Sequence, residues 1–259
     1  VILLRSLLFN LGFYLMTAAM ALLGLPVLLL PERLGMAFGR SWAALVLKLL
    51  GWCCGLTHEL RGAENLPPGP VIIAMKHQSA WDTLAVPVIF GNPAIVLKRE
   101  LMMIPFYGWY LWKAGMIAID RKAGAAALRR LVAAGARAAA LRRPIVIFPE
   151  GTRTAPGTHH PYQPGVAALY RQLELPLVPV AVNSGLYWGR RRFVKRPGRI
   201  IIEILPAIPP GGERRAVMGD LEQRIEAATT RLLAEAQAAG ATDEKAVDDF
   251  TEHPGGTRG

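Results

Sequence analysis

A histidine and an aspartate stand five positions apart in the segment Lys76-His77-Gln78-Ser79-Ala80-Trp81-Asp82, directly after the apolar run 71–75. On one continuous helix, positions i and i+5 point about 140° apart. A loop between them lets the carboxylate fold back onto the imidazole. An Asp bonded to one ring nitrogen fixes the tautomer and leaves the other nitrogen a better base. The chemistry such a pair offers is general-base activation of a hydroxyl. The same spacing also fits a helix opening at Asp82, with the carboxylate as its N-cap. On the pair alone both readings stand.

A second block, Phe148-Pro149-Glu150-Gly151-Thr152-Arg153, again follows a buried apolar run. It sets a carboxylate, a flexible backbone position, a hydroxyl and a guanidinium at the end of a strand, where α/β folds bind ligands. Arg is the natural residue for bidentate phosphate recognition. The plainer reading is a surface turn with an ion pair. Lys98-Arg99-Glu100-Leu101 and the segment from Gly115 to Asp120-Arg121 add three cations near strand ends. A fourth block, Val178-Pro179-Val180-Ala181-Val182, is an apolar strand with a Pro inside, which implies an edge position or a bulge.

Several chemistries are excluded. The chain has no G-x-S-x-G elbow, no phosphate-binding G-x-x-x-x-G-K-[ST] loop, no G-x-G-x-x-G and no H-E-x-x-H. His159-His160 lacks a following Asp and reads as a pair of loop histidines. The two cysteines, Cys53 and Cys54, are adjacent and cannot staple distant segments, and no Cys/His spacing suits structural zinc.

In this order and spacing, the four blocks resemble the glycerolipid acyltransferase family over roughly residues 57–210. They are most similar to its bacterial branch acting on 1-acyl-sn-glycerol 3-phosphate. The resemblance implies transfer of a fatty acyl group from a thioester to the sn-2 hydroxyl of lysophosphatidic acid, forming phosphatidic acid in phospholipid biosynthesis. The alternative it leaves is another lyso-lipid acceptor, a lysophospholipid or a lyso-ornithine lipid. It implies that His77 is the general base and Asp82 its orienter, with direct attack on the thioester and no covalent acyl-enzyme. Arg153 and Lys98 would hold the acceptor phosphate. Glu150, Gly151 and Thr152 would shape the acceptor site, Arg121 would join them from the second block, and Pro179 would shape the fourth. Acyl-CoA or acyl carrier protein is the implied co-substrate, with no metal and no further cofactor. The family often has Asn before the His; here it is Lys76, to which no role is assigned. Backbone N–H groups near Gln78 and Ser79 are the expected oxyanion donors.

These residues need elements to position them. Short apolar runs at 71–75, 94–97, 116–119, 145–148, 177–182 and 199–205, and the mixed segment 57–61, read as strands. Mixed segments at 82–90, 105–113, 124–142, 164–173 and 217–238 read as helices. The alternation predicts an α/β fold: a mixed, mostly parallel sheet flanked by helices, glycerol-phosphate-acyltransferase-like, over residues 57–239. Residues 240–259 are polar and read as a flexible tail.

Ahead of the sheet, residues 6–31 carry no formal charge, enough for a bilayer-spanning helix or a leaflet-embedded hairpin. In 33–56, Arg33, Arg40 and Lys48 fall on one helical stripe among apolar residues, the pattern of an interfacial helix. Residues 1–56 therefore read as a two-helix membrane anchor, and the expected location is the cytoplasmic face of the bacterial inner membrane.

Composition agrees. The 259 residues are 52% hydrophobic and 19% charged, with a formal net charge of +11. Arg129, Arg130, Arg137, Arg142 and Arg143 lie along one helical segment, and Arg190–Arg192, Lys195, Arg196 and Arg199 gather near Trp188 and Phe193. For the second cluster, anionic membrane lipids are the expected partner. The phosphates of coenzyme A and an acidic carrier protein are the other readings. No nucleic-acid-binding module accompanies the charge.

Overall fold

The computed structural model describes residues 1–240, the side chain of Lys122 excepted; all but the first residue of the expected tail at 240–259 lies outside the described residues. Seven strands form one sheet: β1 (Leu56–Arg61), β2 (Ile72–Met75), β3 (Ala94–Lys98), β4 (Ile117–Ile119), β5 (Ile145–Ile147), β6 (Leu177–Val182) and β7 (Gly198–Ile204). Their spatial order is β1-β7-β6-β2-β5-β3-β4. The five strands from β6 to β4 run parallel; β7 is antiparallel to β6, and β1 parallel to β7. The central strands β2, β5 and β6 are buried at every position. That is why they read as unbroken apolar runs rather than alternating ones.

The two faces of the sheet are covered by different helices. Ile73, Met75, Val146, Val178 and Val180 face α1 (Ile2–Leu23), α2 (Glu32–Cys54) and α3 (Ala80–Ile89). Ile72, Ala74, Ile145, Ile147 and Leu177 face α5 (Gly124–Ala140), α6 (Pro164–Leu173) and α7 (Arg214–Ala238). A short α4 (Tyr107–Lys113) lies beside α2. The result is a three-layer α/β architecture.

Pro179 was expected on an edge strand or at a bulge. It is not at an edge: β6 is bonded on both sides. Its carbonyl accepts from Leu205 N at 3.0 Å, so its N–H-less nitrogen faces the last rung of the β6–β7 ladder. The antiparallel pairing then resumes at Leu177–Ile208, in both directions at 3.0 and 2.8 Å, with one extra residue on the β7 side, so the Pro stands beside a bulge as one of the two expectations had it.

α1 and α2 form an antiparallel hairpin. A Cβ at Gly12 would touch Leu49, Trp42 Nε1 donates to Thr17 Oγ1 at 3.2 Å, and Gly24 lies against Phe38. Pro26 starts the short 3₁₀ turn Leu25–Leu29 that ends α1, and Pro31 precedes α2. Both helices are long and apolar enough to cross a membrane by length and composition. α2 buries Ala43, Val46, Leu47 and Leu50 against the sheet's helices, while Arg33, Arg40 and Lys48 are exposed. α1 buries only Ser6 and Phe9 and exposes Leu3, Leu4, Leu7, Leu8, Leu11 and Leu15.

Candidate active site

Parallel strands send all their C-terminal ends to one edge of the sheet. His77 follows β2, Glu150 to Arg153 follow β5, Lys98 ends β3, Arg121 follows β4, and Ser184 follows β6. Blocks far apart in sequence thus meet at one rim, the crevice position at which α/β sheets bind ligands.

The imidazole and carboxylate form a dyad: His77 Nδ1 lies 2.8 Å from Asp82 Oδ2. Ser79 is the N-cap of α3, and Asp82 is its N3 residue, completing a capping box. The same Oδ2 accepts Gln78 N and Ser79 N, each at 2.8 Å, while Ser184 Oγ donates to Oδ1. Asp82 is fully buried. The two readings of Asp82, helix cap and histidine partner, are therefore both true of one carboxylate. With Oδ2 accepting, Nδ1 carries the hydrogen and Nε2 keeps its lone pair for a substrate. The ring stacks on Phe148, centroids 4.0 Å apart. The His77 carbonyl accepts Thr154 N at 2.9 Å and Thr154 Oγ1 at 3.1 Å. Ring and backbone are both held.

Gln78 N and Ser79 N, expected as oxyanion donors, are spent on Asp82. Among the described residues, the N–H groups of Thr152 and Arg153 have no intramolecular acceptor, and both residues line the cavity beside His77.

That cavity has a volume of about 1080 Å³. Apolar side chains of α1, α2 and α4 wall it, among them Met20, Phe38, Trp42 and Tyr110. His77 and the cations Lys98, Arg121, Arg153, Arg190 and Arg191 also line it, with Arg40 contributed by α2. Gly151 has φ +70°, and a Cβ there would come within 3.2 Å of Arg121 Nη1. Glycine meets the positive φ without strain and leaves room for Gln163 and Arg121, and the approach seats the Arg121 guanidinium on the loop after β5. Burial lowers the pKa of Arg121, with Glu100 opposing. Burial also lowers that of Arg153; Arg190 and Arg191 push the same way, and Asp82 opposes them.

Glu150 is absent from the cavity lining. Its Oε1 pairs with Lys76 Nζ at 2.9 Å and accepts His160 N at 3.0 Å, while Oε2 accepts Thr154 Oγ1 at 2.8 Å. Strand alternation explains the split: past β2, His77 continues the face of Ile73 and Met75, and Lys76 the face of Ile72 and Ala74. Lys76 is fully buried and also bonds both carboxylate oxygens of Glu226 on α7 at 2.8 Å. Sequence reasoning missed this ammonium, which ties β2, the loop after β5 and α7 together. It also missed Ser184, which shares with the recognised blocks its place just after a buried strand.

Fold and site together define an α/β enzyme with a His–Asp dyad beside an apolar, cation-rimmed cavity. The Acyltransferase family model matches residues 58–183. A 1-acyl-sn-glycerol-3-phosphate acyltransferase of Pseudomonas aeruginosa is 37% identical over 196 residues, 76% of this chain and 76% of that one. The alpha form of Homo sapiens is 30% identical, over 82% of this chain and 75% of its own. The crystal structure of the 1-acyl-sn-glycerophosphate acyltransferase of Thermotoga maritima matches the fold with a TM-score of 0.73 at 20% identity, covering 89% of this chain and 97% of that one. The chain belongs to the 1-acyl-sn-glycerol-3-phosphate acyltransferase family.

Proposed function

We propose that this chain transfers a fatty acyl group from an acyl thioester to the sn-2 hydroxyl of 1-acyl-sn-glycerol 3-phosphate, releasing phosphatidic acid and the free thiol. One observation carries the reading: the Asp82-oriented imidazole opens onto an apolar cavity that is rimmed by cations. His77 Nε2 takes the proton of the acceptor hydroxyl as its oxygen attacks the thioester carbonyl. The tetrahedral oxyanion is met by the N–H groups of Thr152 and Arg153. The thiolate then leaves and takes the proton back from the imidazolium. Lys98, Arg121 and Arg153 hold the acceptor phosphate. Glu150 holds the loop that carries Gly151 to Arg153 rather than touching the lipid.

A positioned base contributes about 10²–10⁴ in rate. Orientation of the two substrates and oxyanion stabilisation supply the remainder. The apolar outer surface of the α1–α2 hairpin seats the enzyme on a lipid surface, at the cytoplasmic face of the inner membrane, with Arg33, Arg40 and Lys48 toward the headgroups.

The test is an acceptor panel assayed with purified protein: 1-acyl-sn-glycerol 3-phosphate, a lysophospholipid carrying a phosphodiester, and a lyso-ornithine lipid. Phosphatidic acid is the expected main product. Preference for the phosphate-free acceptor overturns the reading.

A further inference from the structure

The basic cluster at 190–199 divides in the structure. Lys195 is buried, its ammonium 4.9–5.5 Å from the ring centroids of Phe9, Trp188 and Phe193. It donates to Asn10 Oδ1 at 2.7 Å and to the Phe193 carbonyl at 2.8 Å, and Lys195 N donates to Ser6 Oγ at 3.0 Å. Arg199 pairs with Glu59. Arg190 and Arg191 do neither. They line the cavity, and among the described residues they have no carboxylate partner.

Their loop is a built one. Arg191 holds a left-handed backbone, φ 59°, which a non-glycine residue keeps only where its surroundings impose it. Arg192 N bonds Gly189 O at 3.1 Å, and Arg196 N bonds Tyr187 O at 2.9 Å. The caged Lys195 roots the loop on α1.

Sheet order then sets where these arginines stand. In the series β6-β2-β5-β3-β4, His77 at the end of β2 has β6 on one side. The loop that carries Arg190 and Arg191 follows β6. Arg153, Lys98 and Arg121 come from β5, β3 and β4 on the other side. The two groups of cations enter from opposite sides of β2 and come together at Arg153, whose charge feels both Arg190 and Arg191. A phosphate monoester carries about −1.5 to −2, and the cations from β5, β3 and β4 already exceed that charge. The reaction brings a second anion to the same base, on its thioester substrate.

We infer that Arg190 and Arg191 bind the phosphate groups of the acyl donor, a phosphate-bearing pantetheine thioester. The inference rests on the acyl-transfer reading above. Coenzyme A and the prosthetic group of a carrier protein share this chemistry. The acceptor phosphate stays with Lys98, Arg121 and Arg153, and the donor phosphates lie beside it, next to Arg153.

The test is the double variant Arg190→Ala/Arg191→Ala in the full chain, assayed in detergent with acyl-CoA, acylated acyl carrier protein and phosphate-free acyl-pantetheine. The KM for one or both phosphate-bearing donors is expected to rise about 10–100-fold, the loss typical of charge-assisted hydrogen bonds. The KM for acyl-pantetheine and for the acceptor should stay within about twofold. Which donor responds identifies the source of the phosphate. Arg190→Lys/Arg191→Lys should recover part of the affinity. A rise in acceptor KM with donor KM unchanged overturns the inference, as does a loss confined to binding of anionic vesicles. Equilibrium binding of coenzyme A and of the carrier protein, without acceptor, reads the same arginines even if the acceptor proves to be a different lipid. Unchanged binding of both by the double variant also overturns the inference.

Discussion

Asp82→Asn separates the two duties of one carboxylate. The amide is isosteric, and its oxygen can take the place of Oδ2, where it still accepts His77 Nδ1, Gln78 N and Ser79 N. Its NH₂ then lies where Oδ1 was, and the Ser184 hydroxyl rotates to accept instead of donate. The four contacts to residue 82 each keep a donor and an acceptor, so the capping box of α3 survives, while the Ser184 O–H gives up its acceptor. What is lost is charge. Charge-assisted bonds are roughly twice as strong as neutral ones, so the stability cost is about 1–3 kcal/mol, some 2–4 °C in Tm per kcal/mol. Catalysis loses more, because the imidazolium formed in the transition state no longer faces an anion. The corresponding change in a Ser-His-Asp triad costs about 10⁴ in kcat. A fall of about 10²–10⁴, or roughly 3–5 kcal/mol of barrier, is expected here. Thiol release in steady state gives kcat; circular-dichroism melting gives Tm. Asp82→Ala is the contrast: it leaves buried N–H groups unpaired, about 1–3 kcal/mol each, and should lower Tm well below Asp82→Asn. A folded Asp82→Asn enzyme with kcat within tenfold of the parent would refute the orienting role of the carboxylate.

Four further outcomes are expected. His77→Ala should abolish turnover while melting close to the parent, and substantial residual thiol release would remove the general base. Gly151→Ala should cost about 1–2 kcal/mol through its left-handed backbone and raise the acceptor KM by displacing Arg121; an unchanged KM breaks that link. Lys76→Met strands Glu150 in the interior and should cost about 3–5 kcal/mol in urea titration; a loss under 1 kcal/mol contradicts the network. Burial pushes the Lys195 ammonium from 10.5 down to about 8. Between these values the unfolded chain holds the proton and the folded one does not, so stability rises with pH. The Tm of the parent relative to Lys195→Met should therefore climb between pH 8 and 10.5, and a flat difference refutes the burial.

All seven strands were legible in the sequence: six are short apolar runs bounded by turn residues, and β1 is a mixed one, Leu-Thr-His-Glu-Leu-Arg. Their order was not. Nothing local says that β7 reverses or that β6 lies inside the sheet, and so the sequence left Pro179 between an edge and a bulge. The His77–Asp82 pair was visible because both partners lie in one segment. Ser184 was not, because it reaches Asp82 only through the pairing of β2 with β6. Lys76 carries a residue type that is almost never fully buried unless paired, and its partners lie far along the chain in Glu150 and Glu226. The basic cluster at 190–199 looked uniform as a string. Its members part company because Lys195 turns into an aromatic cage, Arg199 meets Glu59, and Arg190 and Arg191 reach the cavity.

The α1–α2 hairpin was introduced as an anchor, yet its inner side walls the cavity that holds His77. The boundary near residue 56 divides the chain on paper but not in chemistry. Trimming the hairpin to obtain a tractable soluble enzyme would unroof the reaction chamber and admit water. Grafting a foreign anchor in its place would tether the protein and leave the chamber open. On the proposed membrane seat, a substitution on α1 or α2 faces lipid on one side of the hairpin and the cavity on the other. The helices proposed to locate this enzyme are also walls of the cavity beside its His–Asp pair.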